Sequence, residues 1–257
     1  MISFELFPPK TERGLRTLKE RVLPNLVKLD PSYITVTYGA GGSTQGSTLE
    51  IASAVKNDHN LEAACHLTCV GASKSDIDEV IAKIAAEGIE NIVALRGDAP
   101  QGTEGFVAHE DGFAHANELV SHIRSSHESP RPFGLAVAGY PEKHQEAASL
   151  DIDIENLKHK VDAGADIIIT QLFYDNAAFF AYCDKVRAAR IDIPIVPGLM
   201  PIQSSSQIQR IAALCGARLP DELLERLENA GDDDKIATEI GTEQCIAQSK
   251  ELLDQGV

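Results

Sequence analysis

No uninterrupted apolar run in this 257-residue chain approaches the ~20 residues that a membrane-spanning helix needs. The opening stretch "MISFELFPPK" sets Glu5 and a pair of prolines where a secretory leader would carry its apolar segment. A cytoplasmic protein without membrane contact is expected from both absences. Positive charge is scarce too: 23 Lys and Arg stand against 39 Asp and Glu, a formal charge of −16. That balance repels phosphate backbones, so nucleic acid is not an expected partner. Aromatic residues are only 5% of the chain, but 43% hydrophobic and 24% charged residues are ordinary for a soluble fold. Low-complexity tracts are missing, and a chain of this size buries roughly 70–75% of its unfolded surface. Disorder is not expected.

Cysteine is sparse and odd in number. The five residues, at positions 65, 69, 183, 215 and 245, suit reduced thiols better than a disulfide framework. In "CHLTC" an extended strand would turn Cys65 and Cys69 to one face and His66 to the other, so no metal site is expected. The Gly-x-Gly-x-x-Gly turn of dinucleotide-binding sheets is also missing after the first strand-like run.

What is present is a succession of short apolar runs: "ISFELF" from Ile2, "YITVTY" from Tyr33, "EAACHLTC" from Glu62, "NIVALRG" from Asn91, "FGLAVAGY" from Phe133, "DIIITQLFY" from Asp166 and "IPIVPGL" from Ile193. They recur roughly every 30 residues with helical patterns between them, the rhythm of β–α units. In "SDIDEVIAKIAAEG", Ile77, Val80, Ile81 and Ile84 fall at three- and four-residue steps, with Ser75 expected as N-cap and Gly88 as stop. The expected class is α/β with parallel strands, either a (β/α)8 TIM barrel or an open doubly wound sheet. The missing glycine turn favours the barrel. After the seventh run, "SSSQIQRIAALCG", "PDELLERLENAG" and "DKIATEIGTEQCIAQSKELLDQGV" are all helical patterns, so the eighth strand lacks a segment. A truncated chain, a barrel that stays open and a strand filled from elsewhere are all compatible with this. Residues 1–257 are read as a single (β/α) barrel catalytic domain.

In parallel α/β folds the site gathers at the carboxyl ends of the strands, and here those ends are polar: Glu5, Thr37, His66, Arg96 with Asp98, Tyr140 and Gln171. Glu5 lies among Phe4, Leu6 and Phe7, where an apolar wall would raise its pKa and suit a general acid. An ion pair with Lys10 or Arg13 is the alternative. "YGAGGST" is either a phosphate-cradling nest or a tight turn. "RGD" at 96–98 either faces the site or closes a turn through an Arg96 to Asp98 salt bridge, and the long "APQGTEGFVAHED" connection after it favours the site. "YPEKH" supplies Tyr140 and His144, and "DIDIENLKHKVDAGAD" supplies Asp153, Asn156, His159 and Lys160. These are either a solvated helix face or a cation-and-amide set for a nucleotide phosphate.

Taken in order, "FELFPPK", "VTYGAGGST", "HLTC", "ALRGD", "YPEKH", "NLKHKVDAGAD", "ITQLFYD" and "PGLMP" resemble the methylenetetrahydrofolate reductases over nearly the whole chain. These are FAD-dependent barrel enzymes of one-carbon metabolism, and the likeness is to their bacterial-type catalytic domain. The resemblance implies reduction of 5,10-methylenetetrahydrofolate to 5-methyltetrahydrofolate by NADH or NADPH, in ping-pong fashion through FAD. It makes Glu5 the general acid that protonates the folate N10, and Asp98 the carboxylate between flavin and pterin that stabilises the resulting cation. Gln171 would contact folate or nicotinamide. Thr37, His66, Arg96, Gly97, Asp98, Ala138, Tyr140, His144, Asp153, Asn156, His159 and Lys160 would hold FAD. Gly97 is expected to let the backbone approach the flavin ring closely. A homo-oligomer is implied as well. The chain departs from the family pattern at His159, where bacterial relatives often have Arg, at Ile211, where some place an aromatic residue, and in its missing final strand with the Arg beyond it. A flavin- or folate-binding barrel without full activity is therefore the alternative function.

Overall fold

The computed structural model describes residues 2–38, 45–98, 106–126 and 133–257. All seven strand-like runs form strands: β1 Ser3–Leu6, β2 Tyr33–Val36, β3 Ala63–Thr68, β4 Asn91–Leu95, β5 Gly134–Gly139, β6 Ile167–Thr170 and β7 Ile195–Val196. They are hydrogen-bonded neighbours in chain order, and β1–β2, β2–β3, β3–β4, β4–β5 and β6–β7 pair in parallel. This is the succession of a (β/α) barrel with seven strands. No eighth strand follows β7 among the described residues. Helices fill the intervals: α1 Glu12–Thr17, α2 Leu23–Val27, α3 Gln45–Ser53, α4 Lys74–Ala86, α5 Ala116–Ser126, α6 Leu150–Asp162, α7 Asn176–Ala188, α8 Ser205–Cys215, α9 Asp221–Ala230 and α10 Asp234–Asp254. Chain contacts divide the protein into two compact units, Met1–Val137 with Asp162–Asp166, and Ala138–Val161 with Ile167–Val257.

Register explains the first unit. Glu5 pairs with Thr35, Thr35 with Ala64, His66 with Val93 and Val93 with Ala136. Side chains alternate along each strand, so Glu5, Thr35, Ala64, His66, Val93 and Ala136 share one face. The opposite face, with Ile34, Val36, Cys65, Leu67, Ile92 and Leu135, is buried throughout. There α3 packs on β2 and β3, and α5 packs on β4. The apolar stripe of α4 is also buried at Ile77, Val80, Ile81 and Ile84, each worth roughly 1.5–3 kcal/mol when fully withdrawn from water. Its cap differs from expectation. Ser73, not Ser75, is the N-cap: its hydroxyl accepts from Asp76 N at 3.2 Å, and Asp76 accepts from Ser73 N at 2.9 Å. Asp at the third helical position makes this reciprocal box, which starts the helix at Lys74.

In the second unit β6 and β7 pair through Ile168 with Ile195 and Ile169 with Val196. Leu172 and Tyr174 pack with Ile202, Ile208, Leu223, Leu227, Ala237 and Ile240, which draws α8, α9 and α10 into one core. Buried amides fasten α10: Gln248 Nε2 donates to Phe173 O at 2.9 Å, and Asn176 Nδ2 donates to Gln248 O at 3.1 Å and Glu251 Oε2 at 2.8 Å.

Candidate functional site

The first unit assembles a carboxylate, a hydroxyl and an imidazole from three strands. Glu5 Oε2 lies 3.3 Å from His66 Nε2 and accepts from Thr35 Oγ1 at 3.4 Å. The Glu5 side chain keeps 40% of its exposure while His66 keeps 10%, so the acid has solvent access and the ring beside it does not. Burial pushes the Glu5 carboxyl up, but the His66 ring and the Thr35 hydroxyl outweigh it, and the net effect is a pKa below the ordinary glutamate value. This corrects the expectation of a raised pKa from the apolar wall. Among the described residues the ion-pair partner of Glu5 is His66, not Lys10 or Arg13. Thr35 was missed in the sequence; its signal is the alternation in "YITVTY", which puts Thr35 and Thr37 on one face.

Around this pair the other candidates are less concentrated. Thr37 N donates to Leu6 O at 2.9 Å and its carbonyl accepts from Thr48 Oγ1 at 2.8 Å. At the end of β4 the Arg96 guanidinium lies 4.8 Å from the Phe106 ring centre, and Asp98 is exposed. Gly97 has φ +86°, and a Cβ there would lie 2.8 Å from Val70 Cγ1 and 3.0 Å from Thr68 Cβ. Glycine is thus required by the left-handed backbone and the end of β3, a reason internal to the protein that was not foreseen. The glycine-rich stretch 39–44 lies outside the described residues, as do 99–105 of the following connection. Cys65 and Cys69 are buried thiols, each pushed up to about 12 by burial, so neither is a ready nucleophile.

The second unit builds its group from one strand, one loop and one helix. Lys160 Nζ donates to Ala138 O at 2.6 Å and sits 5.8 Å from the Tyr140 ring centre. Tyr140 meets His144 edge to face at 4.7 Å. Asp153, buried, accepts from His144 N at 2.9 Å. Burial drives the Lys160 ammonium down to about 8 against the pull of Asp153. Asn156 and His159 are exposed on α6, and His159 falls about 100° around the helix from Lys160. Gln171 N donates to Gly139 O at 2.8 Å, and its side-chain oxygen accepts from Leu172 N at 2.9 Å. Ile211 packs against the apolar core of α8, α9 and α10. Tyr182 was not foreseen: fully buried, its hydroxyl occupies the space a Cβ at Gly139 would take and has no hydrogen-bond partner.

These features define a parallel α/β chain of the (β/α) barrel type with polar groups at its strand ends. A solved structure agrees in fold: a protein from Clostridium thermocellum, described as binding two copies of 5-methyl-5,6,7,8-tetrahydrofolic acid, superposes with a TM-score of 0.63 at 15% identity, covering 100% of this chain and 85% of that one. The sequence pattern of methylenetetrahydrofolate reductase matches residues 1–257. The chain belongs to the methylenetetrahydrofolate reductase family. It is 37% identical to the 5,10-methylenetetrahydrofolate reductase of Pectobacterium carotovorum subsp. carotovorum, covering 100% of this chain and 82% of that protein. For the Escherichia coli (strain K12) enzyme of that name, identity is 34% and coverage 100% and 83%. With methylenetetrahydrofolate reductase (NADH) 1 of Arabidopsis thaliana it shares 43% identity over 99% of its length, yet spans only 44% of that plant protein.

Proposed function

We propose that this chain catalyses the reduction of 5,10-methylenetetrahydrofolate to 5-methyltetrahydrofolate, with NADH or NADPH as electron donor and FAD as the relay, as one catalytic domain over residues 1–257. The observation that carries the reading is the Glu5 and His66 pair at 3.3 Å on the strand face, in a chain of this family. The relatives' names, and the reduced folate held by the clostridial protein, support a folate substrate.

The residues present fit FAD. Lys160 offers a half-buried cation against an aromatic face, and Thr68 Oγ1 is a buried polar atom without a hydrogen-bond partner. The holding groups of this proposal are Thr37, His66, Arg96, Gly97, Asp98, Ala138, Tyr140, His144, Asp153, Asn156, His159 and Lys160. FAD, when bound, takes hydride from the nicotinamide and passes it to the folate, which the protein itself cannot do. Glu5 supplies the proton that opens the folate imidazolidine ring at N10. The Asp98 carboxylate stabilises the iminium cation so formed, and the Gln171 amide orients folate or nicotinamide. A cytoplasmic homo-oligomer belongs to the same proposal.

The visible spectrum of purified protein tests it. Flavin bands that bleach with NADH or NADPH and return on adding methylenetetrahydrofolate are expected. The second reading, a flavin- or folate-binding barrel without full activity, draws on the absence of an eighth strand among the described residues. It predicts bands that do not return with the folate. Protein that takes up no FAD at all overturns the flavin reading.

A further inference from the structure

We infer that His66 is the proton partner of Glu5: one proton is shared between Glu5 Oε2 and His66 Nε2, and that proton is the one delivered to the folate nitrogen. The delivery step rests on the proposed reductase function; the pairing does not. The geometry is specific. His66 is only 8% exposed, and its Nε2 lies 3.3 Å from Oε2 without being aligned for a hydrogen bond to it or to any other group. A histidine serving only the core would have its ring nitrogens satisfied by the fold. Here a small rotation of ring or carboxyl closes the Nε2 to Oε2 line. From β2 the group facing Glu5 is the Thr35 hydroxyl, and from β3 it is His66. On β4 the residue in register with His66 is Val93, which brings no charge.

The pair resolves a conflict in the chemistry. A glutamate held below its ordinary pKa is ionised at neutral pH and has no proton to give. Shared with an imidazolium, the same site keeps one proton whose loss belongs to the pair and not to either residue. In the step itself the Nε2–H bond breaks as Oε2–H forms. Oε2–H then breaks as a proton bonds to N10, and the bond from N10 to the bridging methylene breaks, its electron pair going to N10. Carboxylate and neutral imidazole remain, the positive charge moves to the folate iminium, and the pair regains a proton from solvent. His66 is thus a positioning residue that acts through Glu5.

Two measurements on the full chain test this. In protein labelled with 15N-histidine, the His66 ring is followed by NMR through a pH titration. Replacing Glu5→Gln should lower its midpoint by a unit or more, a tenfold loss of proton affinity, and Glu5→Asp should lower it less. Unchanged midpoints in both variants overturn the pairing, whatever the protein's activity. In rapid-mixing kinetics of the folate half-reaction, normalised to bound flavin, His66→Gln should shift the alkaline fall in rate to lower pH by a unit or more, whatever the drop in the rate itself. A uniform loss at every pH with an unmoved profile overturns proton sharing. Wild-type protein whose flavin never reoxidises with the folate overturns the delivery step and the reductase reading together, and the NMR midpoint then decides the pair alone.

Discussion

Burial works against the charged form of Glu5 in the first unit and of Lys160 in the second, and it loses in one and wins in the other. On Glu5 it pushes toward the neutral acid, but His66 and Thr35 reverse the outcome. On Lys160 it also pushes toward the neutral form, and Asp153 only softens the result, leaving an ammonium near 8. The difference is contact. Two groups reach the Glu5 oxygen directly, whereas Lys160 donates to a neutral carbonyl and feels its carboxylate through space. Desolvation is offset by a partner at the charged atom far better than by one held farther away. The carboxylate of the first unit is thereby held in its charged form, while the ammonium of the second gives up its proton more readily than an ordinary lysine.

The sharpest break of that contrast is Glu5→Gln. Stopped-flow kinetics should show the folate half-reaction slowed about 10²–10⁴-fold, the usual worth of a general acid, with flavin reduction by NADH falling far less. Equal losses in both would erase the assignment of proton chemistry to the first unit. Next in size is packing in the second unit. Gly139→Ala drives a methyl into the Tyr182 hydroxyl and Ile168 and should cost about 3 kcal/mol in urea unfolding. Tyr182→Phe, which deletes a buried hydroxyl without a partner, should be near neutral alone and recover part of that loss.

Lys160→Met probes the charge itself. Between pH about 8 and 10.5 the unfolded chain binds more protons at Lys160 than the folded one, so wild-type stability gains as pH rises through that window. From pH 7.5 to 9.5 wild type should gain about 1–2 kcal/mol relative to Lys160→Met in paired urea titrations. No difference in slope would mean that water reaches the ammonium. The smallest effect is expected at Ser73→Ala, about 1 kcal/mol from loss of the α4 capping box.

The two groups also differ in how well they can be read from the chain. Ala138, Tyr140, His144, Asp153 and Lys160 lie on one strand, loop and helix, and a local pattern places them together. His159, next to Lys160 in the chain, turns out exposed because a step of about 100° rotates it away from Lys160, and Asn156, one turn earlier, is exposed as well. Glu5, Thr35 and His66 come from three strands, and their meeting depends on parallel register. Glu5 was recognisable as an acid; the partner that lowers its pKa was not, because apolar neighbours in sequence are not its neighbours across the sheet. Gly97 was noticed for a cofactor it was expected to approach; that a side chain there would also run into Val70 and Thr68 was not legible in the chain.

By itself the amino-acid order determined the alternation of strands and helices, the polar character of the strand ends and the purely helical patterns that follow the seventh strand-like run. Periodicity and turn chemistry are properties of neighbouring residues, and these features need nothing more. Only the tertiary structure decided which oxygen faces which nitrogen, that Ser73 caps α4, that Tyr182 demands Gly139, and that burial prevails at Lys160 but not at Glu5. Those outcomes depend on distances of 3 to 4 Å between groups far apart along the chain, where a single hydrogen bond or its absence outweighs the polarity of the surroundings.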